Sequence, residues 1–294
     1  MDRIRQILFV PPAPVVWAAH LDLFAQYGVD VETTLTRSSD EMGRGLAAGR
    51  WDVGIAVVDN VLAWNHAEAA RLEIVAQLER STLMAFVGLP RLLAMQDVAA
   101  GPIAVDATTN GFVLVLYRAL ARAGIDWRTC RLQNVGGVKQ RFDALIAGHA
   151  AATILVPPFI DIALDKGFAA LWWGETIAPH YPGVVATAQA QWLRANASVA
   201  QRYLQALIAA NRWGGDAVNA SAAAASLVAA GYAAPIAGRL AADTVAGLRV
   251  VPQGWDETIA LRRECGLLEF PEPEARAVVN TELLERAADA YPQK

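Results

Sequence analysis

The sequence predicts an α/β protein made of two doubly wound lobes joined by two crossover strands, and three observations carry that reading. A short segment occurs twice: residues 46–59, from Leu46-Ala47-Ala48-Gly49 through Val53-Gly54-Ile55-Ala56 to Asp59, align without gaps on residues 145–158, an offset of 99. Upstream, Tyr27-Gly28-Val29-Asp30 has a counterpart in Ala123-Gly124-Ile125-Asp126, offset by 96. Both copies read as helix end, glycine cap, buried strand and loop. A chain of 294 residues is also long for one hydrophobic core and divides naturally into two units.

The elements follow in order. Residues 4–9 form an apolar first strand, and Pro11-Pro12-Ala13-Pro14 reads as a loop because proline cannot donate a ladder hydrogen bond. A helix carrying Val16, Leu21, Phe24 and Ala25 on one face ends at Gly28. Residues 29–36 alternate as a strand, Ser38-Ser39-Asp40 supply N-cap chemistry, and a helix over 40–48 ends at Gly49. Residues 53–58 are the third strand and a helix begins at Asn60, which gives β-α-β-α-β and a parallel sheet.

Residues 72–77 and 83–88 read as the crossing to the second lobe, where the plan repeats. Residues 103–105 are a strand, Thr108-Thr109-Asn110 a loop and cap, and 111–123 a helix closed by Gly124. A strand over 131–135, the turn Gly136-Gly137, a helix over 138–147 closed by Gly148 and a strand over 153–156 complete it. Residues 183–189 recross as a strand. From Trp192 the chain is alanine-rich and helical, broken at Gly214-Gly215, Gly231 and Pro235. The expected division is residues 1–85 with 186–294 as one lobe and 86–185 as the other.

Composition bounds the function. Hydrophobic residues at 55% against 18% charged describe a globular chain, and a net charge of −4 lacks the basic footprint of a nucleic-acid binder. Cys130 and Cys265 show no metal or disulfide spacing, and His20, His66, His149 and His180 form no HxxxH or HxH pair, so no metal and no cofactor are expected. The apolar run 7–10 stops at Pro11-Pro12, too short for a signal-peptide core, and no stretch approaches the ~20 apolar residues that span a bilayer. As written the chain is expected to be cytoplasmic and without membrane insertion; as the mature form of an exported precursor it would be periplasmic.

Several motifs in order resemble one family. "Leu-Phe-x-x-x-Gly-Val-Asp-Val-Glu" over 23–32, "Leu-Ala-Ala-Gly-x-x-Asp-Val-Gly-Ile-Ala" over 46–56, "Gly-Phe-x-Leu-x-Leu" over 111–116, "Val-Gly-Gly-Val-Lys-Gln-Arg-Phe-Asp-Ala-Leu-Ile-Ala-Gly" over 135–148 and "Leu-Val-Pro-Pro-Phe" over 155–159 are similar to the NMT1/THI5-like substrate-binding proteins of ABC transporters. The resemblance covers roughly residues 7–215. It implies a bilobal periplasmic-binding-protein fold of type II, in which hinge closure traps a small polar or heteroaromatic molecule, with an ABC permease as the partner. Ligands across that group include pyrimidine precursors of thiamine, alkanesulfonates, taurine and nitrate. The alternative is a cytosolic lyase, decarboxylase or dehydratase on the same fold.

Ligands of doubly wound lobes sit beyond the carboxyl ends of the strands. The loops there nominate Pro14, Trp17, Ser38, Ser39, Asp59, Asn60, Asp106, Thr108, Thr109, Asn110, Phe112, Gly136, Gly137, Pro158 and Phe159 as ligand-binding residues. Hydroxyls and free N–H groups at helix starts suit an anion, the carboxylates suit an N–H-rich ligand, and the aromatics, with Trp64, suit a planar one. Duplication makes Asp59-Asn60 and Pro157-Pro158-Phe159 counterparts on facing lips. Lys139 and Arg141 open the second-lobe helix, where they could pair with an anionic group, an exposed helix face being the more frequent reading; Trp172-Trp173, Trp192 and Trp213 are assigned to packing. No catalytic constellation is nominated; for the enzyme alternative, Asp59, Asp106, Ser38 and His20 are the acid–base groups.

Overall fold

The computed structural model describes residues 1–80, 83–92, 94–99 and 101–290. Its ten strands are β1 (Asp2–Leu8), β2 (Val29–Leu35), β3 (Val53–Val57), β4 (Leu72–Gln77), β5 (Ala85–Gly88), β6 (Pro102–Val105), β7 (Arg131–Asn134), β8 (Ala152–Leu155), β9 (Ala169–Trp173) and β10 (Val184–Gln189). They form two five-stranded sheets of matching design, ordered β2-β1-β3-β10-β4 and β7-β6-β8-β5-β9. In the first, β1 runs parallel to β2 and β3 while β10 is antiparallel to β3 and β4. In the second, β6 runs parallel to β7 and β8 while β5 is antiparallel to β8 and β9. The antiparallel strand of each sheet is the one reached directly after the chain crosses from the other. The fold is thus the bilobal α/β architecture that the sequence predicts.

The glycines of the repeat do the same work in both lobes. Gly28, Gly49, Gly124 and Gly148 follow helices with φ of +76°, +67°, +75° and +72°, a left-handed bend that strains any residue with a Cβ.

Several elements differ from expectation. Pro14 is not in a loop: the helix Ala13–His20 starts one residue earlier, with proline in its first turn, where a missing N–H costs nothing. The single helix predicted up to Gly28 is two, because Asp22 takes a left-handed conformation (φ 54°) between Ala13–His20 and Leu23–Gln26. The helix Val58–Ala67 starts before Asn60, which puts Asp59 inside its first turn rather than at the cap. The helix Val113–Arg122 is preceded by Phe112 and has no side-chain cap, so Thr108, Thr109 and Asn110 belong to the approach. Residues 72–77 are no crossing but an edge strand of the first sheet, and β9 and the helix Phe159–Asp165 have no counterpart in the expected plan. The start of the predicted stretch 83–88 borders Ser81 and Thr82, which lie outside the described residues.

The core is continuous across the sheets. Buried Ile7, Met42 and Leu62 of the first and Phe86, Ile103 and Leu114 of the second join one apolar cluster, with Trp255, Ile259 and Leu261 of the helix Pro252–Glu264. That helix is pinned to the second lobe: Arg118 pairs with Glu257 at 2.6 Å and with Glu264 at 2.8 Å, and the His180 N–H donates to Glu257 at 2.6 Å. Farther on, Val279 bridges Ile74 and the Asn280 amide donates to Glu73 at 2.6 Å, back on the first sheet. Among the described residues, no helix is long and apolar enough to cross a membrane.

Candidate ligand-binding cavity

The parallel strands β1, β3, β6 and β8 direct their carboxyl ends at the gap between the sheets, where a doubly wound fold leaves its crevice. A cavity of about 120 Å³ lies there. Its walls are mostly apolar: Phe9 and Val10 after β1, Phe112 after β6, Val138 at the next helix start, Val156 and Pro157 after β8, and Leu240 from the C-terminal helices. Polar groups are few, namely Asn60, Asn110, Asp106, Arg141, Glu79 and Tyr232. A small apolar chamber with a handful of placed polar groups is the general form of a small-molecule site.

These polar groups are tuned by burial. Desolvation raises the Asp106 carboxyl above the ordinary carboxylate range, with the Arg141 charge and the Ser39 N–H pulling it back and Asp40 pushing it further up. Arg141 is buried and pushed down to about 10, opposed by Asp106. Its Nη1 donates to the Ile154 carbonyl at 2.7 Å. At the far end, burial and the neighbouring Asp243 charge push the partly buried Glu79 up to about 8, against the pull of the Val184 N–H. The Tyr232 hydroxyl donates to the Pro11 carbonyl at 2.7 Å. Among the described residues, Asn60 Oδ1 and Arg141 Nε are buried without a hydrogen-bond partner. Such atoms are costly unless something satisfies them.

Two hydrogen bonds hold the lips together. The Gly111 N–H donates to Asp59 Oδ2 at 2.7 Å and the Gly137 N–H donates to the Arg37 carbonyl at 2.8 Å. Each joins a residue of the first lobe to one of the second. Gly111 has φ +73°, and a Cβ there would lie 3.1 Å from Asn60 Oδ1, so glycine lets the loop approach the helix start closely.

Of the residues nominated from sequence, Asn60, Asp106, Asn110, Phe112 and Gly137 line the cavity. Asp59 does not. It is fully buried behind the lip, paired with Arg262 Nη1 at 3.0 Å; burial raises its carboxyl, and Arg262 and the Gly111 N–H oppose the rise. Ser39 is buried with its Oγ accepting from the Asn60 amide at 3.3 Å, while Ser38 caps its helix through the Glu41 N–H at 3.2 Å. Thr108 and Thr109 are exposed and contribute carbonyls, to the Tyr117 hydroxyl at 2.8 Å and to Arg262 at 3.4 Å. Pro14 and Trp17 are buried away from the cavity, the Trp17 ring lying against Gly214 and its N–H donating to the Ala223 carbonyl at 3.1 Å. Pro157, joined to Pro158 by a cis peptide, lines the cavity; Gly136 and Pro158 flank it. Phe159 borders an outer groove with Phe9, Leu35 and Arg37 and packs on Phe142. Trp64 is buried over Gly43.

Arg141 is a correction, because the expected exposed helix face is its neighbour Lys139's alone; Lys139 pairs with Asp143 at 2.6 Å. Sequence reasoning also missed Glu79, Tyr232, Leu240 and Arg262. A signal existed for the two arginines. Val138, Arg141, Phe142 and Leu145 share one helix face, as do Trp255, Thr258, Ile259 and Arg262, so each arginine stands on a buried stripe.

The whole chain superposes on solved structures of this architecture. A protein from Bordetella bronchiseptica RB50 matches with a TM-score of 0.82 and 17% identity over 100% of this chain and 99% of that one. The alkanesulfonate-binding protein of Xanthomonas axonopodis pv. citri, bound to MOPS, matches with a TM-score of 0.76 and 18% identity over 96% and 99%. The periplasmic nitrate-binding protein of Synechocystis PCC 6803 matches with a TM-score of 0.77 and 13% identity over 99% and 89%. At these identities the likeness is one of fold, the periplasmic-binding-protein fold. No curated protein matches the chain in sequence. The model of the NMT1-like family matches residues 6–229, which takes in strands of both sheets and most of the residues that line the cavity, and the chain belongs to that family.

Proposed function

We propose that this protein captures a small organic solute between its lobes by hinge closure and presents the closed form to an ABC-type permease. The observation that carries the reading is the closed cleft itself: backbone N–H groups of Gly111 and Gly137 bind across the lips over a mostly apolar cavity whose wall includes Asn60, Asn110, Asp106 and Arg141. A solute held by walls from both lobes favours the closed state over the open one, and that difference in affinity drives the population shift. The lobes in this reading are residues 1–85 with 186–294 and residues 86–185. The structural relatives named for alkanesulfonate and nitrate binding support the role, and with it a place outside the inner membrane.

The test is a thermal-shift screen against a broad panel of small solutes, followed by small-angle scattering on any hit. A ligand at 100 times its Kd adds about 2.7 kcal/mol to stability, a rise of several degrees in Tm. The expected hit contracts the particle and is recovered unchanged after long incubation. Recovery of a product would replace the capture role with an enzymatic one.

A further inference from the structure

We propose that Phe9 is the gate of the cavity: its ring, closed on Gly137, partitions one continuous site into an inner chamber and an outer groove and limits the size of what the chamber admits. The inference goes beyond solute capture, since it concerns the route to the chamber and not what binds there.

The shared wall carries it. Outside the chamber of about 120 Å³ lies a groove of about 420 Å³, between Leu35, Thr36 and Arg37 of the first lobe and Lys139, Gln140 and Phe159 of the second. Phe9, Val10, Gly137 and Val138 line both spaces, so a single layer of residues separates them. Phe9 and Val10 follow β1, whereas Gly137 and Val138 stand at the start of the helix Val138–Ile146, so each lobe supplies half of the partition.

Glycine is what lets the halves meet. A Cβ at Gly137 would lie 3.0 and 3.1 Å from two carbons of the Phe9 ring and 3.3 Å from the Arg37 carbonyl oxygen, closer than packed carbons settle. Without that Cβ the ring lies against the second-lobe backbone, which the Gly137 N–H holds to the Arg37 carbonyl at 2.8 Å. Of the four residues, only Phe9 can open the wall by moving its side chain alone. Gly137 has none, and Val10 and Val138 are β-branched and stiff at χ1. Phe9 is half-buried, and the groove beside it offers apolar surface, with Leu35 65% exposed and Phe159 on the second-lobe side. A ring that swings outward therefore exchanges one apolar contact for another, which keeps the cost of opening low.

A thiol placed in the chamber reads the gate. Val156 lines the chamber and not the groove, and Val156→Cys in the full chain is labelled at pH 7 with methyl and with hexyl methanethiosulfonate. The peptide that carries position 156 is followed by mass spectrometry, so that the free thiols of Cys130 and Cys265 do not contribute. The readout is the hexyl-to-methyl rate ratio, in which the reactivity of the thiol cancels. Adding Phe9→Ala is expected to raise the ratio at least tenfold, and adding Leu35→Ala, which trims the groove and leaves the partition, to change it less than twofold. An unchanged ratio in a folded Phe9→Ala variant overturns the gate, as does an equal rise with Leu35→Ala. Gly137→Ala, whose Cβ presses on the ring from the other lobe, decides if Phe9→Ala does not fold: a rise of at least threefold is expected, and an unchanged ratio overturns the gate. Labelling uses no solute, so the two failures are distinct. A solute screen without a hit removes capture and leaves the gate, whereas unchanged labelling removes the gate and leaves capture.

Discussion

The segments that follow β3 and β8 occupy equivalent places in two sheets of the same design, yet they do opposite things. The first carries Asp59 and Asn60: a fully buried carboxylate bound by Arg262 and the Gly111 N–H, beside an amide facing the cavity. The second carries Pro157, Pro158 and Phe159, which offer no side-chain donor or acceptor and give an apolar wall. The repeat therefore preserves the path of the backbone and not its chemistry. One copy ties the lobes together through charge and the other closes the cavity through shape.

That contrast can be broken experimentally. Arg262→Ala strands the Asp59 carboxylate in a fully buried position and is expected to cost about 3–5 kcal/mol in urea denaturation; a loss under about 1 kcal/mol would show that the polar segment is not held by its ion pair. Phe159→Ala on the apolar side removes a partly buried ring that packs on Phe142 and is expected to cost about 2 kcal/mol. A loss as large as that of Arg262→Ala would erase the difference between the segments. Gly111→Ala places a Cβ at φ +73° and 3.1 Å from Asn60 Oδ1, at an expected cost of about 1–2 kcal/mol. The same variant weakens lip closure, read as a larger particle in scattering.

A pH titration extends the comparison to the far end of the cavity. Glu79, pushed from 4.5 to about 8 by burial and Asp243, keeps its proton in the folded state while the unfolded chain has lost it. Stability from this group is full below about 4.5 and falls as pH rises toward 8, with a slope of at most about 1.4 kcal/mol per pH unit. Glu79→Gln is expected to flatten that slope in denaturation curves between pH 5 and 8. The smallest effect belongs to Lys139→Ala, whose exposed pair with Asp143 is expected to contribute no more than about 0.5 kcal/mol.

The sheets were legible because their signals are local: an apolar run between a glycine cap and a turn residue, written twice. The boundaries that shifted did so for equally local reasons that composition hides, such as a left-handed Asp22 or a helix that starts on Val58 rather than on a capping side chain. Loops after strands pointed to Asn60, Asp106, Asn110, Phe112 and Gly137 because the crevice of a doubly wound fold is a consequence of topology. Glu79, Tyr232 and Leu240 reach the same cavity from distant parts of the chain, and nothing in their neighbours marks them. Asp59 shows the other limit, since its place just after a strand was readable but its partner lies some 200 residues away at Arg262.

The placement of β10 also sets an order of assembly during synthesis. All five strands of the second sheet lie within residues 85–173, whereas the first sheet holds β10 between β3 and β4 and cannot be completed before residues 184–189 leave the ribosome. The lobe that begins the chain is therefore the last to close. Until then the inner edges of β3 and β4 have no partner, a window in which long-range pairing is slow and open edges invite wrong contacts.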